Sequence, residues 1–307
     1  MIPFLEYAAF RVLAAIVTRL PYSVAGALGT TLGLAVLYLT RYRRAVTLDN
    51  LAHAFPEMSD DVRLGIARGA YANYGRAIVE MLWAGGQRAD TLKAKVHPRN
   101  PELVHEALSR GHGLILISAH FGSWELLLTG LKLHVPVPWV AIVQRQRNER
   151  IDAMIDSRRR RFGVQTVPMG PSVREVLKGL QEGKVVLILG DQSGPRESVF
   201  IPFFGRPSAT HRGAAAFALR SGAPIIVTVL LRREDGTYDA VFESVDSTGL
   251  TGDREAQILE LTKRHTAVVE RCIRMRPDHW LWMHKRWKHT PEYEQKQQVE
   301  QDAEEGV

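Results

Sequence analysis

The stretch GLILISAHFGSWE at residues 113–125 joins a continuous apolar run to a polar, glycine-containing turn. A continuous apolar run is typical of a strand that is buried on both faces. Similar runs at 139–143, 184–189 and 224–231 alternate with segments of helical character. The alternation predicts an α/β domain whose mixed sheet is covered by helices. We also expect an edge strand at 238–243 and long helices at 59–83 and 253–275.

The composition is that of a globular protein, with 45% hydrophobic and 24% charged residues in a chain of 307. These values exclude wholesale disorder, a coiled coil and a fibrous repeat. The single cysteine, Cys272, excludes a disulfide framework and a cysteine-rich metal site. We expect Cys272 to be a small buried hydrophobe in a reducing compartment.

The net charge of +7 is unevenly distributed along the chain. Residues 291–307 carry six acids and one lysine, which predicts a disordered acidic tail and leaves the preceding body at +12. A body this basic indicates a polyanionic partner, for which nucleic acid, an anionic membrane surface and a phosphorylated substrate all qualify.

The first 45 residues have the composition of a membrane-associating segment. Residues 4–19 predict an apolar helix that Pro21 ends, and residues 20–40 contain no charge. The second run reaches the ~20 residues needed to cross a bilayer, although glycine, serine and threonine make it less apolar. A basic cluster follows, formed by Arg41, Arg43 and Arg44. It favours contact with anionic headgroups and a cytoplasmic location for the rest of the chain. The alternative is a buried helical hairpin.

His120 leaves the first apolar run, and Glu125 lies five positions later. Positions five apart are ~140° apart on a continuous helix, so the two side chains meet only if His120 precedes the helix and Glu125 occupies its first turns. A carboxylate bonded to one ring nitrogen would make the other nitrogen a suitable general base. The same spacing occurs after His97, His265 and His289, but only His120 enters a glycine-containing turn after a strand. The alternative is a structural or surface histidine.

A second polar turn follows the run at 184–189. We expect its loop to bring Asp191, Gln192 and Arg196 to the rim that carries the first turn, because function concentrates where strands end in α/β folds. The apolar segment after it, with Phe203 and Phe204, is a candidate wall for an acyl groove. The alternative is a turn followed by core aromatics.

Two further segments are strongly basic. Residues 145–161 contain seven arginines against three acids, and guanidinium groups bind phosphate bidentately. We expect Arg145, at a strand end, to face a site, although most charge runs are solvated helix faces. WLWMHKRWK at 280–288 combines three tryptophans with basic residues. That composition fits a membrane interface, a base-stacking surface or a packed C-terminal segment.

Together these pieces resemble the bacterial lipid A biosynthesis (lauroyl/myristoyl) acyltransferases of the lysophospholipid acyltransferase superfamily. The resemblance covers roughly residues 5–290 and rests on ordered stretches: Asn50-Leu51 with Phe55-Pro56-Glu57, ISAHFGSWE, Arg145 to Asn148, Gly190-Asp191-Gln192 with VFIPFFG, Gly222-Ala223-Pro224, and WLWMHKRWK. It implies a glycerol-3-phosphate acyltransferase-like fold. The predicted organisation is a membrane segment at 1–45, an acyltransferase domain at 46–290 and the tail at 291–307.

The resemblance also implies a site and a reaction. His120 and Glu125 would be the catalytic dyad, with no metal and no cofactor, and Gly122, Ser123 or Arg145 would stabilise the oxyanion. Substrate contacts are expected from Arg145, Asn148, Asp191, Gln192, Arg196, Phe203 and Phe204. The donor would be an acyl thioester on acyl carrier protein or coenzyme A, and the acceptor a hydroxyl of a phosphorylated glycolipid, a lipid A precursor. Gln144 and Ser193 depart from the family pattern.

The enzyme would work at the cytoplasmic face of the inner membrane. One alternative is an acyl-CoA-dependent acyltransferase on another glycolipid, such as a phosphatidylinositol mannoside. A second is a basic peripheral protein without enzymatic activity that binds lipid or nucleic acid through residues 145–161. The apolar N-terminus argues against nucleic acid, because such binding does not call for that segment.

Overall fold

The computed structural model describes residues 2–170, 172–295 and 297. The helices are α1 Ile2–Val17, α2 Tyr22–Ala35, α3 Arg44–Ala54, α4 Asp60–Ala84, α5 Ala89–Lys93, α6 Glu102–Ser109, α7 Trp124–His134, α8 Glu149–Arg161, α9 Val173–Gln181, α10 Gly213–Ser221 and α11 Arg254–Met275. A π-helical turn, Val36–Thr40, continues α2, and a 3-10 turn, Pro277–His279, follows α11. The strands are β1 Val96–Pro98, β2 Leu114–Ser118, β3 Trp139–Val143, β4 Val164–Pro168, β5 Val185–Leu189, β6 Val199–Phe203, β7 Arg206–Thr210, β8 Ile225–Arg232 and β9 Tyr238–Ser244.

Seven of the strands form one mixed sheet in the order β1-β9-β8-β2-β5-β3-β4. All neighbouring pairs are parallel except β8 and β9. The prediction that the strand at 238–243 lies at the edge is therefore wrong. This strand is β9, and β1 pairs with its outer side. The three-residue β1 and the more polar β4 carry too little apolar pattern to be predicted. The strands β6 and β7 form a separate antiparallel hairpin.

The central strands bury both faces, as their continuous apolar runs predict. Ile115 and Ile117 of β2 point into one hydrophobic cluster, and Leu114 and Leu116 point into a second cluster on the opposite face. Helices α10 and α11 lie on the first side, and α6 and α7 lie on the second. Cys272 of α11 is buried in the first cluster, and this burial raises the pKa of its thiol to about 11.

The described parts of both terminal segments lie against this domain, with α2 packed on α4. Within the described residues, Tyr22–Thr40 is the one helix with the length and composition to cross a membrane. At the other end, residues 290–295 are helical, and Tyr293 stacks on Phe200 with ring centroids 4.1 Å apart. The start of the predicted disordered tail is thus ordered against β6. The remainder of the tail lies outside the described residues, apart from residue 297.

Candidate active site

The site lies at the carboxyl edge of the sheet. Strands β2, β5 and β3 are parallel neighbours, so their carboxyl ends meet at one edge. His120 follows β2, Asp191 follows β5 and Arg145 follows β3. The sequence argument from strand ends placed Asp191 and Gln192 at this rim, and the structure brings both to His120.

His120 and Asp191 form the centre of the site. The ring Nδ1 of His120 lies 2.9 Å from Oδ1 of Asp191, and the backbone N–H of His120 donates to Oδ2 over 2.9 Å. The indole Nε1 of Trp280 donates to the same Oδ2 over 2.8 Å. The side chain of Asp191 is 1% exposed, so three donors satisfy a carboxylate that is cut off from water.

This arrangement keeps Asp191 ionised. Burial acts to raise the pKa of Asp191, but the attraction of the His120 ring and the hydrogen bonds from His120 and Trp280 outweigh burial. The pKa of Asp191 consequently lies below its ordinary value. An ionised carboxylate accepts only, so Nδ1 must carry a proton, and in the neutral ring Nε2 keeps its lone pair. Nε2 is thus the nitrogen available to take a proton.

The surroundings of Nε2 are partly open and polar. The side chain of His120 is 21% exposed, and the Nε2 amide nitrogen of Gln192 lies 3.4 Å from the ring Nε2. The ring of Trp124 lies beside the imidazole, with centroids 5.3 Å apart, and Tyr74 stacks on Trp124. An acceptor hydroxyl can therefore reach Nε2 next to one amide donor and one aromatic wall.

The loop that carries Asp191 is fixed by the C-terminal segment. The backbone N–H of Ser193 donates to Nε2 of His284 over 3.0 Å. Ala209 O accepts from both the backbone N–H of Gly194 and Nη1 of Arg286. Burial lowers the pKa of His284 to about 4, so this ring stays neutral and keeps its accepting nitrogen at physiological pH.

Glu125 does not bond the His120 ring in the structure. The predicted His120–Glu125 contact is replaced by two separate pairs, His120 with Asp191 and Glu125 with Arg159. Glu125 lies in the first turn of α7, next to Trp124, and consecutive helical positions are about 100° apart around the axis. Because Trp124 faces His120, Glu125 faces α8, where it pairs with Nε and Nη2 of Arg159. Both side chains of this ion pair are 15% exposed.

A small cavity adjoins the Glu125–Arg159 pair. Its volume is about 20 Å³, enough for about one water molecule. Apolar residues of α4 and α8 supply most of its wall, and Thr129 and Arg158 supply polar groups. The Nη1 atom of Arg158 is buried and has no hydrogen-bond partner among the described residues. Burial lowers the pKa of Arg158.

The predicted oxyanion donors at the start of α7 are occupied or buried. Gly122 adopts a φ of +57°, and a Cβ there would lie 2.6 Å from Leu230 O, so the turn requires glycine. Its N–H already donates to His279 O over 2.9 Å. Ser123 is fully buried. The turn holds the C-terminal segment, and the N–H of Gly122 is engaged in that contact in this structure.

Phe203 and Phe204 lie in the core and do not line a groove. Phe203 ends β6, and the turn residues Phe204 and Gly205 both have positive φ, which forms the tight turn that joins β6 to β7. Phe203 packs against Trp280 and Trp287, and Phe204 packs against Trp282. All three tryptophans of the C-terminal segment are buried, so a packed segment, not an interfacial or base-stacking surface, is its role here.

The remaining predicted contact residues are Arg145, Asn148 and Arg196. Arg145 is exposed after β3, at the correct edge of the sheet. Asn148 caps the start of α8 through Oδ1 and donates to Glu6 of α1 over 3.2 Å. Arg196 is exposed and pairs with Glu292 over 3.1 Å. Asn148 and Arg196 thus have structural partners in this state.

Sequence reasoning missed Trp280 and Arg159 as parts of the site. The backbone of residues 279–281 pairs with 120–122, since Gly122 donates to His279 and Leu281 donates to His120 O. This short pairing delivers the Trp280 indole to Asp191. No local signal marks such a contact, because 89 positions separate the two residues.

The fold and the candidate site together define an α/β protein that holds a partly open histidine against a buried carboxylate at the carboxyl edge of a mainly parallel sheet. Residues 3–289 match the family described as bacterial lipid A biosynthesis acyltransferase, and the chain belongs to this family. It is therefore an O-acyltransferase, and the alternative of a binding protein without enzymatic activity is set aside.

Three curated proteins illustrate the range of similar sequences. The lipid A biosynthesis lauroyltransferase of Escherichia coli (strain K12) is 28% identical over 282 residues, covering 90% of this chain and 89% of that protein. The lipid A biosynthesis palmitoleoyltransferase of the same organism is 24% identical, covering 89% and 88%. A phosphatidylinositol mannoside acyltransferase of Mycolicibacterium smegmatis (strain ATCC 700084 / mc(2)155) is 23% identical, covering 78% and 77%.

Proposed function

We propose that this protein transfers a fatty acyl chain from a thioester donor to a hydroxyl of a lipid A precursor. The observation that carries the proposal is the orientation of His120, whose Nδ1 is held by the buried Asp191 while Nε2 faces the partly open rim. The lipid A enzymes of Escherichia coli named above support the choice of acceptor. We propose a glycerol-3-phosphate acyltransferase-like fold for residues 46–290.

The reaction follows from the available proton acceptor. Nε2 of His120 takes the proton of the acceptor hydroxyl as its oxygen attacks the thioester carbonyl. A C–O bond forms, and the carbonyl electron pair moves to the oxygen. Collapse of this tetrahedral intermediate breaks the C–S bond, and the departing thiolate takes the proton back from the imidazolium. Asp191 keeps the ring oriented and stabilises its positive charge during the intermediate.

The oxyanion requires donors near Nε2. The Gln192 amide, 3.4 Å from Nε2, and the Arg145 guanidinium at the same edge are the groups we propose for this role. Glu125 remains part of the proposed site, but it acts through its ion pair with Arg159. This pair holds α8 against α7 beside the turn that carries His120. In this account Glu125 is a positioning residue.

For the donor, we propose acyl carrier protein, an acidic protein. Arg145, Arg147 and Arg150 are exposed, and none has a carboxylate within ion-pair distance in the described ranges. A cluster of exposed, positively charged arginines attracts an acidic carrier and raises its association rate. Replacing Arg147 and Arg150 by glutamine should raise KM for acyl carrier protein about tenfold and change KM for acyl-CoA less. Arg220→Gln, also exposed and unpaired in the described chain, is the matched control.

The setting we propose is the cytoplasmic face of the inner membrane. The apolar N-terminal helices, the exposed Arg41 and the half-buried Arg44 support attachment to a surface with anionic headgroups. A lipid acceptor then reaches the enzyme by lateral diffusion.

The experiment that tests this function combines an assay with lipid analysis. Purified His120→Gln should keep its unfolding transition and lose acyl transfer from a thioester to a lipid A precursor. Lipids from a deletion strain should contain underacylated lipid A. Full activity of His120→Gln would overturn the mechanism, and unchanged lipid A would overturn the acceptor.

The second candidate acceptor is a phosphatidylinositol mannoside, with acyl-CoA as the donor. The match to the mycolicibacterial acyltransferase over 78% of this chain favours it. Underacylated phosphatidylinositol mannosides in the deletion strain, with lipid A unchanged, would select this candidate.

A further inference from the structure

The N-terminal helix α2 has the length of a bilayer span. With its π-helical turn it contains 19 residues, and a rise of 1.5 Å per residue makes it roughly 29 Å long. That length is close to the ~30 Å thickness of a bilayer hydrocarbon core. Length and composition alone therefore leave two arrangements, one across the membrane and one along its surface.

The glycine face of α2 decides between these arrangements. Gly26, Gly29 and Gly33 lie on one side of the helix and are buried against α4. A Cβ on Gly29 would lie 2.6 Å from Cα of Arg76, and one on Gly33 would lie 2.0 Å from Tyr71 O. The two backbones are thus in direct contact through the middle of α2, which leaves no space for lipid between them.

Helix α4 belongs to the catalytic domain and is polar at the level of this contact. Arg76 pairs with Glu80 over 2.8 Å, and Glu80 also accepts from the hydroxyl groups of Tyr22 and Tyr238. Tyr238 is part of β9 in the main sheet. If α2 crossed the bilayer, it would draw this charged cluster and the edge of the sheet into hydrocarbon, where ionised groups are costly.

Both ends of α2 are also fastened to the domain. At its start, the Tyr22 hydroxyl donates to Glu80 and lies 2.9 Å from Gly236 O. At its end, Leu37 is fully buried and packs with Tyr71 and Met283. The helix therefore follows the domain surface over its whole length.

The outer side of the same region is apolar and bordered by arginine. Among the described residues, ten of the fourteen exposed large hydrophobic side chains lie in residues 4–42: Phe4, Leu5, Val12, Leu13, Ile16, Val24, Leu32, Tyr38, Leu39 and Tyr42. An apolar patch of this kind marks an interaction surface. Arg11, Arg19 and Arg41 are exposed within or beside it, which matches the anionic headgroups of a membrane.

We propose that α1 and α2 lie in the plane of one anionic leaflet, with both ends of α2 on the side of the catalytic domain. This surface, defined by the ten side chains above, is the leaflet-binding face. The protein is then attached to one leaflet, and no described helix crosses the bilayer. The inference deepens the proposed membrane setting, and its tests do not depend on catalytic activity.

The first test maps the two ends of α2. Single cysteines replace Arg19 before α2, Thr40 at its end, or the domain residue Ser247, in full-length Cys272→Ala protein expressed in bacterial cells. An impermeant maleimide is applied to intact spheroplasts and then after permeabilisation. All three positions should react only after permeabilisation. Labelling of Arg19→Cys in intact spheroplasts would overturn the proposal, as would its protection under both conditions, which would place that turn in hydrocarbon.

The second test measures the leaflet-binding face itself. Leu32→Glu with Leu39→Glu should lower flotation with phosphatidylethanolamine–phosphatidylglycerol vesicles at least tenfold, without loss of the folded state. Val62→Glu with Met275→Glu is the matched control, because these two side chains are also large, apolar and exposed but lie outside the face. Equal binding by both double variants would contradict the proposal.

A third comparison tests the backbone contact between α2 and α4. Gly33→Ala should lower the unfolding temperature, because its methyl group would collide with the backbone of Tyr71. Gly65→Ala, in α4 with open space at its Cβ, should raise it slightly, since alanine loses less entropy in a helix. An unchanged unfolding temperature for Gly33→Ala would mean that α2 is not packed on α4. In that case the acyl transfer assay still decides the proposed function separately.

Discussion

The carboxylate of Asp191 lies 2.9 Å from Nδ1 of His120, although 71 positions separate the two residues in the chain. The pair joins the ends of two adjacent parallel strands, β2 and β5. The carboxylate is buried and ionised, so it fixes which ring nitrogen carries the proton. The lone pair that remains on Nε2 therefore depends on this one contact.

Asp191→Asn should lower kcat by roughly 10³-fold and change KM little, because an amide no longer enforces the Nδ1–H tautomer. Steady-state acyl transfer at saturating donor measures this effect. Asp239→Asn on β9, which pairs with Arg99 away from the site, is the control and should retain activity. A kcat within threefold of the wild-type value for Asp191→Asn would remove Asp191 from the mechanism.

Trp280→Phe should lower kcat about tenfold, because the loss of one hydrogen bond to a buried carboxylate costs about 1.5 kcal/mol. The matched variant is Trp282→Phe, which loses an indole bond to Pro277 O and does not touch Asp191. Both substitutions remove similar volume, so a common packing defect would affect both alike. Equal losses of kcat, with equal losses of stability, would show that Trp280 acts through packing alone.

Glu125→Gln should lower the free energy of unfolding by about 2–3 kcal/mol, because it leaves the buried cation of Arg159 without its partner. Chemical denaturation measures this change, and Glu125→Gln with Arg159→Gln should recover part of it. Glu106→Gln removes an exposed helical pair with Arg110 and should change stability little. If Glu125→Gln and Glu106→Gln were equally stable, Glu125 would not be held by Arg159.

The free energy of unfolding should fall as the pH drops from 6.5 towards 4. Burial lowers the pKa of His265 to about 4, so between these values the unfolded chain binds a proton that the folded chain does not. The stability present above pH 6.5 is therefore lost on acidification, by about 3 kcal/mol for this residue. His265→Leu should flatten the pH dependence measured by denaturant unfolding, and the exposed His105→Gln should not. An unaltered slope in His265→Leu would contradict the assignment.

Periodicity and strand ends allow much of the fold and part of the site to be predicted. The runs at 113–118 and 184–189 become adjacent buried strands, and the polar turns after them meet at one rim. The partner of His120 at that rim could not be predicted, because the five-residue spacing does not fix the direction in which Glu125 projects from α7. Composition also could not separate a buried tryptophan segment from an interfacial one, since both are rich in tryptophan and basic residues. Trp280 and Trp282 acquire their role only through long-range packing.

The central claim is that Asp191, and not Glu125, sets the tautomer of His120. Long-range ¹H–¹⁵N correlation spectra of histidine-labelled wild-type, Asp191→Asn and Glu125→Gln proteins measure it directly. At neutral pH, wild-type and Glu125→Gln proteins should both show His120 protonated at Nδ1, with an unprotonated Nε2, and Asp191→Asn should lose this preference. A tautomer that changes in Glu125→Gln and persists in Asp191→Asn would contradict the account.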